Sequence, residues 1–177
     1  MLATPFDTFM FEDLKVEVDT PEGYMHSPDT SFIYMPSEKI VSLVDVVTPA
    51  ELPLPGLAEP KDVRAFQAGM KKLLAMDWEY LNGGHFNLGS KETVAGFLTY
   101  ADDVVSATEQ AFTIAGAKTK YCIPKAPIMT CLVGWSQAVV TEATKILQPK
   151  YGHLESFPYL VGSHVEKAMM QRLYHAE

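Results

Sequence analysis

Short apolar runs separated by turn residues dominate the first quarter of the chain. Residues 8–11 and 14–18 lie on either side of an Asp-containing break, which predicts two strands arranged as a hairpin. Residues 31–35 and 39–47 form two further strand-like runs, and the sequence PSEK between them suits a tight connection. The pattern therefore predicts a meander of about four strands.

A proline-rich segment follows the fourth predicted strand. Residues 49–60 contain four prolines, each of which lacks a backbone donor and restricts the residue before it. Neither a helix nor a central strand is expected there. We predict an extended surface loop, which lies near Asp45 because the segment follows that residue closely in the sequence.

Helical spacing of apolar residues appears next. Residues 60–76 space their apolar side chains by three or four positions, which predicts an amphipathic helix that begins at Pro60. Residues 78–85, WEYLNGGH, then form a short apolar run that ends in two glycines and His85. We interpret this run as a fifth strand followed by a loop.

Three helices are predicted in the rest of the chain. The first spans residues 90–116, with Ser90 as its N-cap and Gly116 as its stop. The second ends near residue 147, and the third is a terminal helix capped by Ser163. Residues 149–160 between them are predicted to be a loop.

The order of these elements indicates the fold class. Strands and helices alternate after a β-meander, which is typical of an α/β (α+β) protein with an antiparallel-rich mixed sheet covered by helices on one side. We assign residues 1–117 to this domain. Residues 118–177 are interpreted as a helical C-terminal extension packed on the same domain.

Composition and charge narrow the function classes. The 177 residues are 47% hydrophobic and carry a formal net charge of −8, and no long Lys/Arg cluster is present, so nucleic acid is not an expected partner. No run approaches the roughly 18 apolar residues of a membrane span, and a membrane is not an expected partner either. Two cysteines are too few for a scaffold of several disulfides. They could equally be small hydrophobic residues buried in the core. A cytoplasmic location is expected.

Three candidate metal ligands occupy similar places in the predicted topology. His26 precedes a strand, Asp45 closes a strand, and His85 follows the double glycine after a strand. Ligands gather outside strand ends in layered α/β folds, where loops from different strands converge. Imidazole and carboxylate groups together suit zinc, and also iron or manganese. The alternative for each residue is an ordinary turn former, and His153 and His164 are predicted to be surface or helix-cap residues.

The ordered set of motifs resembles the C-terminal half of a metallo-β-lactamase-fold hydrolase. The resemblance covers residues 24–107 and rests on HSPDTSFIYMPSEKIVSLVD, on the helix and strand after it, and on NGGHFNLGSKETV. It implies half of an αββα sandwich, with helices on one face of a mixed sheet. It also implies one or two divalent ions, with His26 on the first, His85 on the second and Asp45 as the bridging catalytic residue. A metal-bound hydroxide would then hydrolyse a small-molecule ester, thioester, lactone or amide.

The sequence departs from the family pattern at three places. The upstream motif His-x-His-x-Asp-His is absent, Val44 replaces the customary glycine before the bridging aspartate, and Asp29 with Thr30 replaces a common Gly-His pair. Three explanations remain open. The chain lacks an N-terminal half, or it assembles from two copies as a homo-oligomer, or it is a non-catalytic, assembly-forming relative that has lost the full metal site.

Overall fold

The fold is organised around one five-stranded sheet. The computed structural model describes residues 7–174 except residues 22, 24, 50, 86 and 87. The strands follow one another across the sheet in chain order, and every pairing is antiparallel except the parallel pair β4 and β5. The strands are β1 (Asp7–Phe11), β2 (Leu14–Asp19), β3 (Phe32–Met35), β4 (Ile40–Ser42) and β5 (Tyr80–Asn82).

The predicted meander is confirmed, with one strand shortened. The hairpin of β1 and β2 turns at Glu12 and Asp13, and Glu12 has the left-handed φ of 53°. The fourth strand ends at Ser42 and does not reach residue 47 as predicted. The backbone N–H of Leu43 still donates to Asn82 O at 3.0 Å, but Asp45 adopts a φ of 65° and turns the chain away.

Five α-helices complete the described part of the chain. They are α1 (Pro55–Ala58), α2 (Val63–Ala75), α3 (Lys91–Ala115), α4 (Met129–Tyr151) and α5 (Phe157–Tyr174), with a 3₁₀ helix at Lys118–Tyr121. The predicted N-cap of α3 is confirmed, since Ser90 Oγ accepts from the Thr93 N–H at 3.3 Å. Helix α2 begins later than predicted because Asp62 caps it, accepting from the Ala65 N–H at 2.8 Å.

The prediction of a surface loop at residues 49–60 is wrong for half of the segment. Five of the ten residues whose burial is described there are buried, and Leu52 and Leu57 are 3% and 0% exposed. Prolines have no N–H to satisfy, so an extended proline-rich chain can be buried with fewer unpaired donors. Thr48 Oγ1 donates to Leu52 O at 3.1 Å and closes the start of the segment. Gly56 and Leu57 have positive φ values, so the four-residue α1 is a tight turn.

Three expectations for the C-terminal part are also wrong. Helix α4 continues through Pro149 to Tyr151 and α5 begins at Phe157, so the predicted loop shrinks to residues 152–156. Pro149 lies in the last turn, where its missing N–H removes a single intrahelical bond. Ser163 lies inside α5, where its hydroxyl donates to Leu160 O at 2.8 Å. His164, predicted to be superficial, is completely buried, whereas His153 is exposed.

The chain divides into two compact units, Met1–Ala101 and Asp102–Glu177. The first contains the sheet and α2, and α3 enters the second after Ala101.

Helix α2 packs on one sheet face, since Lys72 lies over the Phe32 ring at 5.8 Å and pairs with the buried Asp19. Inward-pointing Phe32, Val41 and Leu81 are fully buried on that face.

The opposite sheet face is apolar and exposed. Register places Phe9, Phe11, Ile33 and Tyr80 on this side, and their exposed fractions are 57%, 73%, 41% and 51%. Half-buried aliphatic residues fill the space between them on the same side: Leu14, Val16, Val18, Met35 and Ile40. We refer to these nine side chains as the open sheet face. Exposed apolar surfaces of this extent mark interaction sites.

The second unit is held by a disulfide and by aromatic contacts. Cys122 and Cys131, for which small buried hydrophobic residues were an expected reading, form a disulfide. Trp135 stacks on Phe112 with ring centroids 5.2 Å apart and donates to Gly116 O at 2.9 Å. No helix within the described residues is long and apolar enough to cross a membrane.

Candidate metal centre

The two candidate histidines converge on the candidate aspartate. His85 Nε2 lies 2.6 Å from Asp45 Oδ1, and His26 Nε2 lies 3.8 Å from Asp45 Oδ2. The three residues come from three loops: one before β3, one after β4 and one after β5. The structure thus brings all three predicted site residues together, with one imidazole on each carboxylate oxygen. Their role as ligands stays a prediction.

His26 is positioned by a buried neighbour and by a closed turn. Met25 is fully buried against α2, where a Cβ on Gly69 would overlap the methionine side chain. On the other side of His26, the Ser27 N–H donates to Thr30 Oγ1 at 2.7 Å and the Thr30 N–H donates to Ser27 O at 3.0 Å. The histidine therefore sits between an anchored residue and a hydrogen-bonded turn.

Asp45 is held by the strand pairing that extends beyond β4 and β5. Its N–H donates to Gly83 O at 3.1 Å, and its backbone has a φ of 65°. Aspartate tolerates this left-handed conformation better than most residues, but it is still an uncommon one. Residues held in such conformations cluster at functional sites.

The double glycine brings His85 against the Asp45 turn. A Cβ on Gly83 would overlap the carbonyl oxygen of Val47. A Cβ on Gly84, which has a φ of 84°, would lie 2.7 Å from Val44 Cγ1. Only glycine permits this approach of the two loops. The two glycines therefore allow the loops to pack closely, and this close packing brings His85 into contact with Asp45.

A cavity of about 410 Å³ lies beside the site. His26 and Asp45 line it together with a polar edge, in which Ser27 Oγ donates to Asp29 Oδ1 at 2.6 Å. This hydrogen bond lowers the pKa of Asp29 below its ordinary value. Sequence reasoning noted Asp29 as a departure from the family pattern and missed its place in the cavity wall. The apolar wall, Val18, Ile33 and Val44, runs into the open sheet face.

The donor set fits a divalent metal ion in part. Two imidazole nitrogens and a carboxylate are ligands that zinc accepts. Asp45 Oδ1 is buried, and no described residue forms a hydrogen bond to it, although His85 Nε2 is so close. A buried carboxylate oxygen without a hydrogen bond is compatible with a ligand of a bound cation. Even so, the described residues contain no group of three or more His, Cys, Asp or Glu side chains arranged to hold a metal ion.

Comparison with solved structures identifies the fold. The chain is similar to a metallo-β-lactamase family protein from Thermus thermophilus, with a TM-score of 0.54, 13% identity, and coverage of 96% of this chain and 47% of that one. It is also similar to the stereoselective inverting sec-alkylsulfatase from a Pseudomonas species, with a TM-score of 0.53, 15% identity, and coverage of 89% and 27%. The chain therefore spans less than half the length of these proteins.

These similarities confirm the resemblance and the fold class inferred from the sequence. The chain has part of the metallo-β-lactamase fold, with a mixed five-stranded sheet and helices. At these identities the comparison concerns the fold alone. No protein-family model matches the sequence, and no curated protein is significantly similar to it.

Proposed function

We propose that the chain supplies part of the active site of a metal-dependent hydrolase that acts on a small-molecule ester, thioester, lactone or amide. The observation that carries the proposal is the convergence of His26 and His85 on opposite oxygens of Asp45, beside a cavity of about 410 Å³. The fold, shared with a metallo-β-lactamase family protein, supports this class of activity.

The residues present divide into metal-holding and substrate-contacting groups. His26, Asp45 and His85 would hold zinc, or iron or manganese, with the two carboxylate oxygens of Asp45 facing different histidines. Such an ion, when bound, lowers the pKa of water and polarises the bond under attack. The hydroxyl of Ser27 and the carboxylate of Asp29 are placed to orient polar parts of a substrate in the cavity.

The site needs a second β-sheet to become complete. The open sheet face is exposed, and its members Val18 and Ile33 also form part of the cavity wall. A sheet that covered this face would close the cavity and would bring further ligands to the edge where Asp45 lies. We propose either an N-terminal half of the fold or a second copy of the chain as that partner.

A non-catalytic, assembly-forming protein is the second candidate. The incomplete ligand set among the described residues favours it, because a half-fold that has lost the chemistry would still use the open sheet face for packing. The two candidates differ in one observable. An assembly protein binds no metal at His26, Asp45 and His85, whether or not its sheet is covered.

Metal content per chain separates the two candidates. We would purify the chain without chelator, measure zinc, iron and manganese by elemental analysis, and determine the mass by light scattering. The proposal expects near-stoichiometric metal that is lost in His85→Ala and kept in the control His153→Ala, whose side chain is exposed. Equal metal in both variants would overturn the metal site and favour the assembly protein, and so would a metal-free chain that light scattering shows to be an oligomer.

A further inference from the structure

An exposed apolar and basic surface surrounds the disulfide of the second unit. Ile123, Ile128, Met129 and Val133 are 62%, 78%, 58% and 52% exposed. Three exposed lysines belong to the same stretch: Lys118, Lys120 and Lys125. No acidic residue occurs between Gln110 and Thr141, although the chain as a whole has a net charge of −8. We refer to these seven side chains as the basic loop surface.

The loop that carries four of these seven side chains is fixed at its base. The disulfide joins Cys122 to Cys131 with their Cα atoms 4.2 Å apart, and Cys131 is buried in the first turn of α4. Within the loop, the Ala126 N–H donates to Ile123 O at 3.0 Å, and the Thr130 N–H donates to Pro127 O at 2.9 Å. The isoleucines therefore project from a short, cross-linked loop and cannot withdraw easily into the core.

We propose that the basic loop surface docks on an anionic lipid bilayer. Peripheral docking needs only a few inserted apolar side chains together with lysines that meet acidic headgroups. This surface has both, and the local positive charge opposes the charge of the rest of the chain. The expectation of no membrane partner rested on the lack of a spanning segment, which peripheral docking does not require. The proposal is independent of the hydrolase proposal.

A protein partner fits this surface less well. A stable protein interface buries about 800 Å² on each side and is usually anchored by aromatic or arginine side chains at its centre. The basic loop surface contains only aliphatic, methionine and lysine side chains, and these lie on the 3₁₀ helix, on the loop after it and on the start of α4. Lysine is depleted from protein interfaces, whereas it is common where a protein meets a membrane surface.

Vesicle co-sedimentation of the full, oxidised chain tests the proposal. We expect binding to vesicles of phosphatidylcholine with phosphatidylserine and none to phosphatidylcholine alone. Combined Ile128→Ser and Met129→Ser should abolish binding, whereas Tyr159→Ser, at a side chain that is 85% exposed on α5, should not affect it. Each of Lys120→Gln and Lys125→Gln should weaken partitioning about fivefold, and Lys71→Gln on α2 should leave it unchanged.

Three results would overturn the proposal. The first is an absence of binding to anionic vesicles. The second is binding that persists in the Ile128→Ser, Met129→Ser variant, which would assign it to another part of the chain. The third is a dimer, seen by light scattering, that this variant dissociates, because the surface would then be an interface between copies. Circular dichroism of each variant checks that the fold is retained.

Discussion

His85 Nε2 lies 2.6 Å from Asp45 Oδ1, although α1, α2 and β5 separate the two residues in the sequence. The parallel pairing of β4 and β5 explains the contact, because parallel strands end at the same edge of a sheet. Leu43 and Asp45 continue that pairing with Asn82 and Gly83 beyond the strand ends. The aspartate and the histidine are therefore positioned by backbone hydrogen bonds before their side chains interact.

Asp45→Asn should remove metal while leaving the fold intact. Asparagine adopts left-handed backbone conformations about as readily as aspartate, so the turn with its φ of 65° should survive. The amide has no negative charge and is a poorer ligand. We expect metal content to fall to background while the free energy of unfolding changes by less than about 1 kcal/mol. Unchanged metal content, measured beside circular dichroism and urea denaturation, would contradict the assignment of Asp45.

Gly83→Ala should displace the loop that carries His85. The added Cβ would overlap Val47 O, a backbone atom that cannot move aside as a flexible side chain can. We expect a loss of about 1–3 kcal/mol in the free energy of unfolding, measured by urea denaturation, together with loss of bound metal.

Gly96→Ala is the matched control for this substitution. Gly96 lies within α3, and apart from its chain neighbours and the nearby helix backbone no described atom comes within 4 Å of a Cβ built there. Alanine should therefore stabilise the helix by about 0.5–1 kcal/mol. Equal effects of the two substitutions would show that the close approach at Gly83 is not needed.

The disulfide should stabilise the second unit. It closes a short loop, and the reduced entropy of the cross-linked unfolded chain predicts a stabilisation of about 2–3 kcal/mol. We expect the double variant Cys122→Ser, Cys131→Ala to lose about that amount in chemical denaturation, and the oxidised chain to show no free thiol. Denaturation of the wild type with reductant should reproduce the loss. Equal stability with and without reductant would show that the cross-link does not constrain the chain.

Local patterns were sufficient for the parts of the fold that depend on neighbouring residues. The β1–β2 hairpin follows from apolar runs around a turn, and the N-cap at Ser90 follows from a hydroxyl residue before a helical repeat. The candidate site was predictable for a similar reason. His26 lies in the loop before β3, Asp45 follows β4 and His85 follows β5, and loops at one edge of a sheet lie close together in space.

Features that depend on tertiary packing were not predictable in this way. The residues after Ser42 look like a continuing strand, and only the contact of Asp45 with Gly83 shows why the chain turns. The proline-rich segment looks like a surface loop until the packing of Leu52 and Leu57 is known. The pairing of Cys122 with Cys131 and the burial of His164 likewise need spatial neighbours that periodicity does not reveal.

A cluster on α3 and α4 makes the stability of the second unit sensitive to high pH. Tyr151 and Lys150 both donate to Asp103 Oδ2 at 2.6 Å. Burial, and then the hydrogen bond to Asp103, raise the pKa of Tyr151 from 10.0 to about 12. Because the pKa in the folded state is raised, the stabilisation is fully present below about pH 10 and is lost as the pH rises through about 12.

Tyr151→Phe tests this pH dependence. The wild type should lose about 1 kcal/mol of unfolding free energy between pH 10 and 12 through this group, after allowance for screening by solvent. The variant should lose less over the same interval, while Tyr159→Phe, at an exposed position, should behave as the wild type does. Urea denaturation across this range measures the difference. Parallel curves for wild type and Tyr151→Phe would mean that the tyrosine titrates alike in the folded and unfolded chains, and that its hydrogen bond to Asp103 does not favour the protonated form.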